Sequence, residues 1–264
     1  MKKWIILLLC LCLCLPAACA EQAPEAPDES GMIGIISAMD NEIKLLLSHA
    51  EIDHVDTIGG VELHVGTLCG KKVVIAKAGI GKVLAASCTS IMLSHYPVTA
   101  LVFTGIAGGV GDETQVLDIV IATKTVQHDF GQHTNEGFEW QAPEGREDGY
   151  YTCDPDLVET AYRAAVEVVG EGHVFKGVIA TGDQFIASEA YVKNLQDSFD
   201  ALACEMEGAS VCAVCEAYGV PCVVIRSMSD KADGKAHETY ENMADIAADN
   251  SGKIVMKMLE EMSK

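Results

Sequence analysis

From Gly31 onward, short runs of β-branched and apolar residues alternate with segments of helical periodicity, and this alternation limits the chain to few folds. A strand covered on both faces reads as a continuous apolar run, and a helix covering it reads as an apolar stripe. Their alternation predicts an α/β domain with helices on the faces of a sheet. The strand-like runs are Ile33 to Ile36, Glu62 to Leu68, Val73 to Ala78, Ala100 to Phe103, Asp118 to Ala122, Val174 to Ala180, Ala201 to Cys204 and Cys222 to Met228. The helical patterns are Asp40 to His49, Lys82 to His95, Pro155 to Val168, Glu189 to Leu195, Glu207 to Tyr218 and Tyr240 to Met262. No internal repeat is evident. Residues 127–151 are polar and glycine-bearing, carry His128, His133, Phe138 and Trp140, and read as a long functional or interface loop.

The first twenty residues stand apart: Lys2 and Lys3, an apolar run from Trp4 to Leu15, then Pro16-Ala17-Ala18-Cys19-Ala20. This is the pattern of a signal peptide, too short for a comfortable transmembrane span. Two processing routes are open. Ala18-Cys19-Ala20 fits cleavage before Glu21, whereas Ala17-Ala18-Cys19 fits a lipobox, with Pro16 where Leu is usual, that leaves Cys19 acylated. Residues 21–30 read as a polar, proline-containing tether and favour the anchor. The expectation is an exported protein whose single domain occupies residues 31–264. Loss of the leader removes two lysines and no acid, taking the net charge from -21 to -23. Such a surface repels phosphate-rich partners, so nucleic acid and anionic membrane are poor candidates.

Four of the eleven cysteines lie in the leader. The other seven are odd in number and mostly sit in apolar segments, which suits buried thiols better than a disulfide framework. Cys212 and Cys215 form a CxxC inside a helical pattern without a second ligand pair nearby, so no metal site is expected.

In α/β sheets ligands collect outside the carboxyl ends of the strands. Several strand ends here carry unusual residues. Glu42 falls in the first turn of a helix after the first strand, a place where the helix macrodipole favours a carboxylate with or without catalysis. Asp40 and Asn41 beside it offer N-caps. No basic residue accompanies them, which suits activation of water better than binding of phosphate. Thr104 to Gly109 is a glycine-bearing turn that lets backbone approach a ligand. Glu205 and Glu207 flank Met206, and two such carboxylates either point into solvent or meet a cation; Arg226, deep in an apolar run, is the natural partner. Asp230 is placed either to cap the next helix or to bind the N7 and amino edge of adenine. Phe185 is either core or a stacking platform for a base.

Five stretches together resemble the 5'-methylthioadenosine/S-adenosylhomocysteine nucleosidases of the nucleoside phosphorylase superfamily. They are Ile33 to Glu42, Ala78 to Val83, Thr181 to Ile186, Glu205 to Ala209 and Arg226 to Asp230. The resemblance implies a single α/β domain with a mixed, twisted sheet, and cleavage of an N-ribosyl bond through an oxocarbenium-like sugar. It assigns Glu42 to water activation, Asp230 to protonation of the base at N7, and Glu207 to the ribose hydroxyls. It assigns Met206 to packing on the sugar, Arg226 to orienting the acids, Phe185 to stacking on adenine and the backbone of Ile186 to the base edge. Gly109 belongs to the glycine turn near sugar and water, and Tyr240 to the ribose and thio substituent. Ile106 stands where some relatives have Ser, so no side-chain hydroxyl reaches water there. The family uses no metal or organic cofactor and forms homodimers in which one subunit's loop closes the other's 5' pocket. Residues 127–140 are the candidate for that loop. The implied substrates are 5'-methylthioadenosine and S-adenosylhomocysteine. Alternatives are hydrolysis of 5'-deoxyadenosine or futalosine, phosphorolysis of a purine nucleoside, and nucleoside binding without turnover by an exported lipoprotein.

Overall fold

A computed structural model describes residues 31–262; the leader, the tether and Cys19 lie outside the described residues. The strands are β1 (Met32–Ser37), β2 (Glu51–Ile58), β3 (Val61–Leu68), β4 (Lys71–Lys77), β5 (Val98–Gly109), β6 (Ile119–Gln127), β7 (Gly131–Thr134), β8 (Gly137–Trp140), β9 (Tyr150–Thr152), β10 (Val174–Thr181), β11 (Ala201–Glu205) and β12 (Cys222–Asp230). The helices are α1 (Asp40–His49), α2 (Lys82–His95), α3 (Pro155–Val169), α4 (Glu189–Phe199), α5 (Gly208–Tyr218) and α6 (Ala236–Glu261).

One mixed sheet runs β11-β10-β6-β12-β5-β1-β4-β3-β2, with β9 added to β6. The sheet also closes on itself, because β11 pairs with β5 through Ala203–Gly109 and Cys204–Gly108. Strands β5, β12, β6, β10 and β11 thus form a closed ring, and β1 to β4 extend from it as an open wing. Helices α1, α3 and α6 pack together, with α6 also against β5 and β12, while α2 pairs with α5. Ile35, Ile75, Leu101, Val102, Ile119, Ile121 and Val224 are buried between these elements, which explains why the central strands read as unbroken apolar runs.

The structure differs from the sequence reading in four places. Strand β2 has no counterpart there: it is an edge strand with mostly exposed or half-exposed residues, so burial imposes no strong pattern on it. The segment from Gln127 to Tyr151 is not one loop, since it carries the β7–β8 hairpin and strand β9. Thr104 to Gly109 is not a turn but the last part of β5. Its glycines serve close approach instead: a Cβ on Gly105 would overlap Arg226 Nη1 and Glu42 Oε1. Finally, α6 begins four residues before the helix expected from Tyr240.

All seven cysteines among the described residues are free, six of them buried. Cys212 Sγ lies 4.0 Å from Cys153 Sγ and 3.6 Å from Cys222 Sγ. No group of His, Cys, Asp or Glu among the described residues is arranged to hold a metal ion.

Candidate active site

Residues at or just beyond the carboxyl ends of β1, β4, β5, β10, β11 and β12 line one cavity of about 280 Å³. Closure of the sheet explains the convergence. The antiparallel contact between β5 and β11 involves Gly108, Gly109, Ala203 and Cys204, so the two strands meet by their carboxyl ends.

On one side stands a cluster of carboxylates. Glu42 is buried, and its Oε2 accepts the amides of Ala38 at 2.9 Å and Met39 at 2.8 Å. Its Oε1 accepts the Ile106 amide at 2.9 Å. The carboxylate therefore satisfies orphan donors at the start of its own helix and also reaches across to β5. Burial pushes its pKa up, against the pull of Arg226 and the three amides. Glu205 takes the strongest contacts: it accepts from Thr181 Oγ1, from Arg226 Nη2, and from the amides of Glu207 at 3.1 Å and Gly208 at 2.8 Å. Glu207 Oε1 accepts the amide of Gly81 at 2.8 Å, and its Oε2 lies 3.3 Å from Arg226 Nη2. Gly81 presents that amide from a backbone φ of 99°, a conformation suited to glycine. Burial and the nearby Glu205 push the Glu207 pKa up to about 7.

Arg226 is fully buried beneath this cluster, with its guanidinium 4.4 Å from the centre of the Phe103 ring and Nη1 3.8 Å from Glu42. One cation thus faces three carboxylates. Leaving it unpaired in this interior would be costly, and the geometry avoids that.

On the other side, Asp230 ends β12. Its Oδ1 accepts the amide of Ala232 at 2.7 Å and its Oδ2 the hydroxyl of Ser229 at 2.8 Å. It caps this local turn and not helix α6, whose N-cap is Lys235. Burial pushes its pKa up, against the pull of the Ala232 amide and the Ser229 hydroxyl. Phe185 stands 44% exposed over the cavity; the His237 ring lies flat on it at 4.6 Å and the Tyr240 ring edge-on at 5.8 Å. The hydroxyl of Tyr240 donates to Met39 Sδ at 3.6 Å.

Of the residues singled out from sequence, Glu42, Asp230, Phe185, Ile186, Met206, Glu207 and Tyr240 all line this cavity. Two do not. Arg226 lies behind the carboxylates and acts on the cavity only through them. Gly109 lies beyond the cavity, facing Thr114 and Lys231, and Gly108 takes the lining place because β5 continues past the ligand space as a strand. The sequence reading omitted His237 and Cys204 from the site. Three-residue spacing from Tyr240 was a signal for His237, but it is visible only once α6 is known to begin at Ala236.

The phosphorylase superfamily model matches residues 32–260. A 5'-methylthioadenosine/S-adenosylhomocysteine nucleosidase of Shewanella sp. (strain MR-7) is 37% identical over 231 residues, covering 87% of this chain and 97% of its own. The solved structure of the Neisseria meningitidis nucleosidase of that name, in complex with methylthio-immucillin-A, superposes with a TM-score of 0.80 at 35% identity and covers 88% of this chain and 99% of its own. The futalosine hydrolase of Helicobacter pylori is similar as well, with a TM-score of 0.79 at 33% identity over 88% of this chain and 98% of its own. With its fold, its carboxylate cluster and these relatives in agreement, the chain belongs to the phosphorylase superfamily and, within it, to the 5'-methylthioadenosine/S-adenosylhomocysteine nucleosidases.

Proposed function

We propose that this protein hydrolyses the N-glycosidic bond of 5'-methylthioadenosine and S-adenosylhomocysteine, releasing adenine and the corresponding thioribose. One observation carries hydrolysis over phosphorolysis. The cavity lining contains four carboxylates, Glu42, Glu205, Glu207 and Asp230, and neither Lys nor Arg. Backbone amides that could cradle an anion are already taken: those of Ala38, Met39 and Ile106 by Glu42, and that of Gly81 by Glu207. A phosphate dianion would find no Lys or Arg in the lining to hold it, whereas water is neutral and needs a base.

In the reaction the base stacks on Phe185 and presents N7 to the protonated Asp230. The C–N bond breaks as Asp230 gives its proton to the leaving adenine. Positive charge that develops on the sugar is stabilised by the carboxylates facing it, fixed in advance by amides and Arg226. Glu42 removes a proton from water as oxygen attacks the anomeric carbon, and its raised pKa makes it a better base than an exposed glutamate. Glu207 accepts hydrogen bonds from the ribose hydroxyls.

Purified protein should release adenine from both nucleosides in phosphate-free buffer. Adenine release only on addition of phosphate would replace this reading with phosphorolysis; binding without release would replace it with a nucleoside-binding role. Similarity to a futalosine hydrolase makes futalosine the third member of the substrate panel.

Export and dimerisation belong to the same proposal. The leader supports export, and intact mass of the mature N-terminus separates an acylated Cys19 from cleavage before Glu21. Exposed Ile80, Val83 and Leu84 beside the cavity, with Phe130 and Phe138 near and on the β7–β8 hairpin, support a homodimer that covers them. Sedimentation equilibrium measures it.

A further inference from the structure

Phe185 sits between β10 and α4, in a segment without regular secondary structure, and its ring is nearly half exposed. An exposed phenyl ring on such a segment has no intrinsic reason to hold one orientation, yet a stacking platform must do so. Two rings from the first turns of α6 supply that reason. His237 and Tyr240 are three residues apart and so project from one helix face. The imidazole of His237 lies nearly parallel to the Phe185 ring, with centroids 4.6 Å apart and planes inclined by 22°; Tyr240 meets the same ring edge-on at 89°.

The start of α6 is itself fixed. Lys231 Nζ donates to Gly111 O at 2.9 Å, and the Lys235 amide to Asp233 Oδ1 at 2.8 Å. Ala232 donates to Asp230 Oδ1 and accepts the Ser188 amide at 2.8 Å, which ties this loop to the segment carrying Phe185. His237 therefore has a rigid base, and Phe185 has a partner on one of its two faces.

We propose that His237 is a positioning residue for the nucleobase, acting through Phe185. With the imidazole against one face of the phenyl ring, the other face is held ready for the base, and binding completes a three-ring stack of imidazole, phenyl and purine. The ring surface of His237 performs this role; no proton transfer is involved. The inference rests on the nucleosidase reading, since it needs a purine at Phe185.

The test compares wild type, His237→Ala, His237→Phe and His237→Asn in steady-state hydrolysis of 5'-methylthioadenosine and S-adenosylhomocysteine, with adenine as a competitive product inhibitor. His237→Ala should raise KM for both substrates and the inhibition constant of adenine by a common factor of about three to ten, with kcat within about twofold of wild type. His237→Phe should restore all three constants, and its kcat/KM should follow pH as wild type does. His237→Asn should behave as His237→Ala. A lower KM in His237→Ala would overturn the proposal, because it would mean that the imidazole occupies the face the base needs. Equal loss in the Phe and Ala variants, or a fall in kcat with KM unchanged, would overturn it too. Wild type that releases no adenine defeats the nucleosidase reading instead, so the two failures are distinguishable. Thermal melting of each variant separates a lost stack from a lost fold.

Discussion

At the carboxylate end of the cavity Glu42 and Glu205 each accept three or more hydrogen bonds, and Arg226 is enclosed between them and Phe103. At the aromatic end Phe185 is 44% exposed and is touched by two other rings. In the proposed reaction the contrast follows from what each end would do. Charges that stabilise a developing cation have to be oriented before the bond breaks, and they act most strongly where water is excluded. A flat base, in contrast, needs an open face to enter and gains its affinity from contact area. The first end accepts the cost of buried charge in exchange for orientation, and the second gives up burial for access.

The largest test of this contrast is loss of chemistry at fixed binding. Glu42→Gln keeps size but removes the proposed base, and is expected to lower kcat by about 10²–10⁴ while nucleoside binding stays within a few fold. Asp230→Asn should be as slow on adenine nucleosides. The two variants part company on a riboside with a nitrophenolate leaving group, which departs without a proton: Asp230→Asn should recover most of its rate there and Glu42→Gln none. Equal recovery in both variants would remove the division of roles. Rapid-quench measurement of product supplies both comparisons.

A smaller effect probes the packing beneath the carboxylates. In Gly105→Ala the added methyl overlaps Arg226 Nη1 and Glu42 Oε1; both groups are buried, Glu42 held by the Ile106 amide and Arg226 by the Glu205 carboxylate. The expected destabilisation is about 1–3 kcal/mol in denaturant unfolding, accompanied by loss of turnover. An unchanged midpoint would show that the cluster is looser than its contacts imply.

The smallest effect concerns protons. Folding raises the Glu207 pKa from 4.5 to about 7, so between these values the folded state binds a proton that the unfolded chain releases. That contribution to stability is present at low pH and is lost as pH rises through about 7. Wild type should therefore lose melting temperature relative to Glu207→Gln as pH rises from about 4.5 to about 7, with little further change above that. A constant difference across that range would remove the proton from Glu207.

Much of the fold could be read from the alternation of apolar runs, because central strands buried on both faces cannot tolerate another pattern. Strand β2 could not, since an edge strand lacks that constraint, and the hairpin at residues 131–140 was hidden for the same reason: its residues are almost all exposed. The residue types of the site were equally readable. Glu42, Glu207 and Asp230 stand at strand ends, where each also had an ordinary use at a helix start or in solvent, and Arg226 in an apolar strand demanded a partner.

The pattern along the chain thus says which side chains stand at the ends of which strands. Their roles at water, base and sugar are what the family resemblance implies; which of them face one cavity and which stand behind it was decided by tertiary structure. Closure of β11 onto β5 brings distant strand ends around one cavity, Arg226 falls behind the carboxylates and not in the cavity lining, and Gly105 is small because two charged groups cross above it. The early start of α6 puts His237 on Phe185. Local pattern records whether a residue is buried and in which element, because burial and periodicity act within a few residues. Which charges meet depends on contacts between residues far apart in the chain, and those exist only once the sheet has closed.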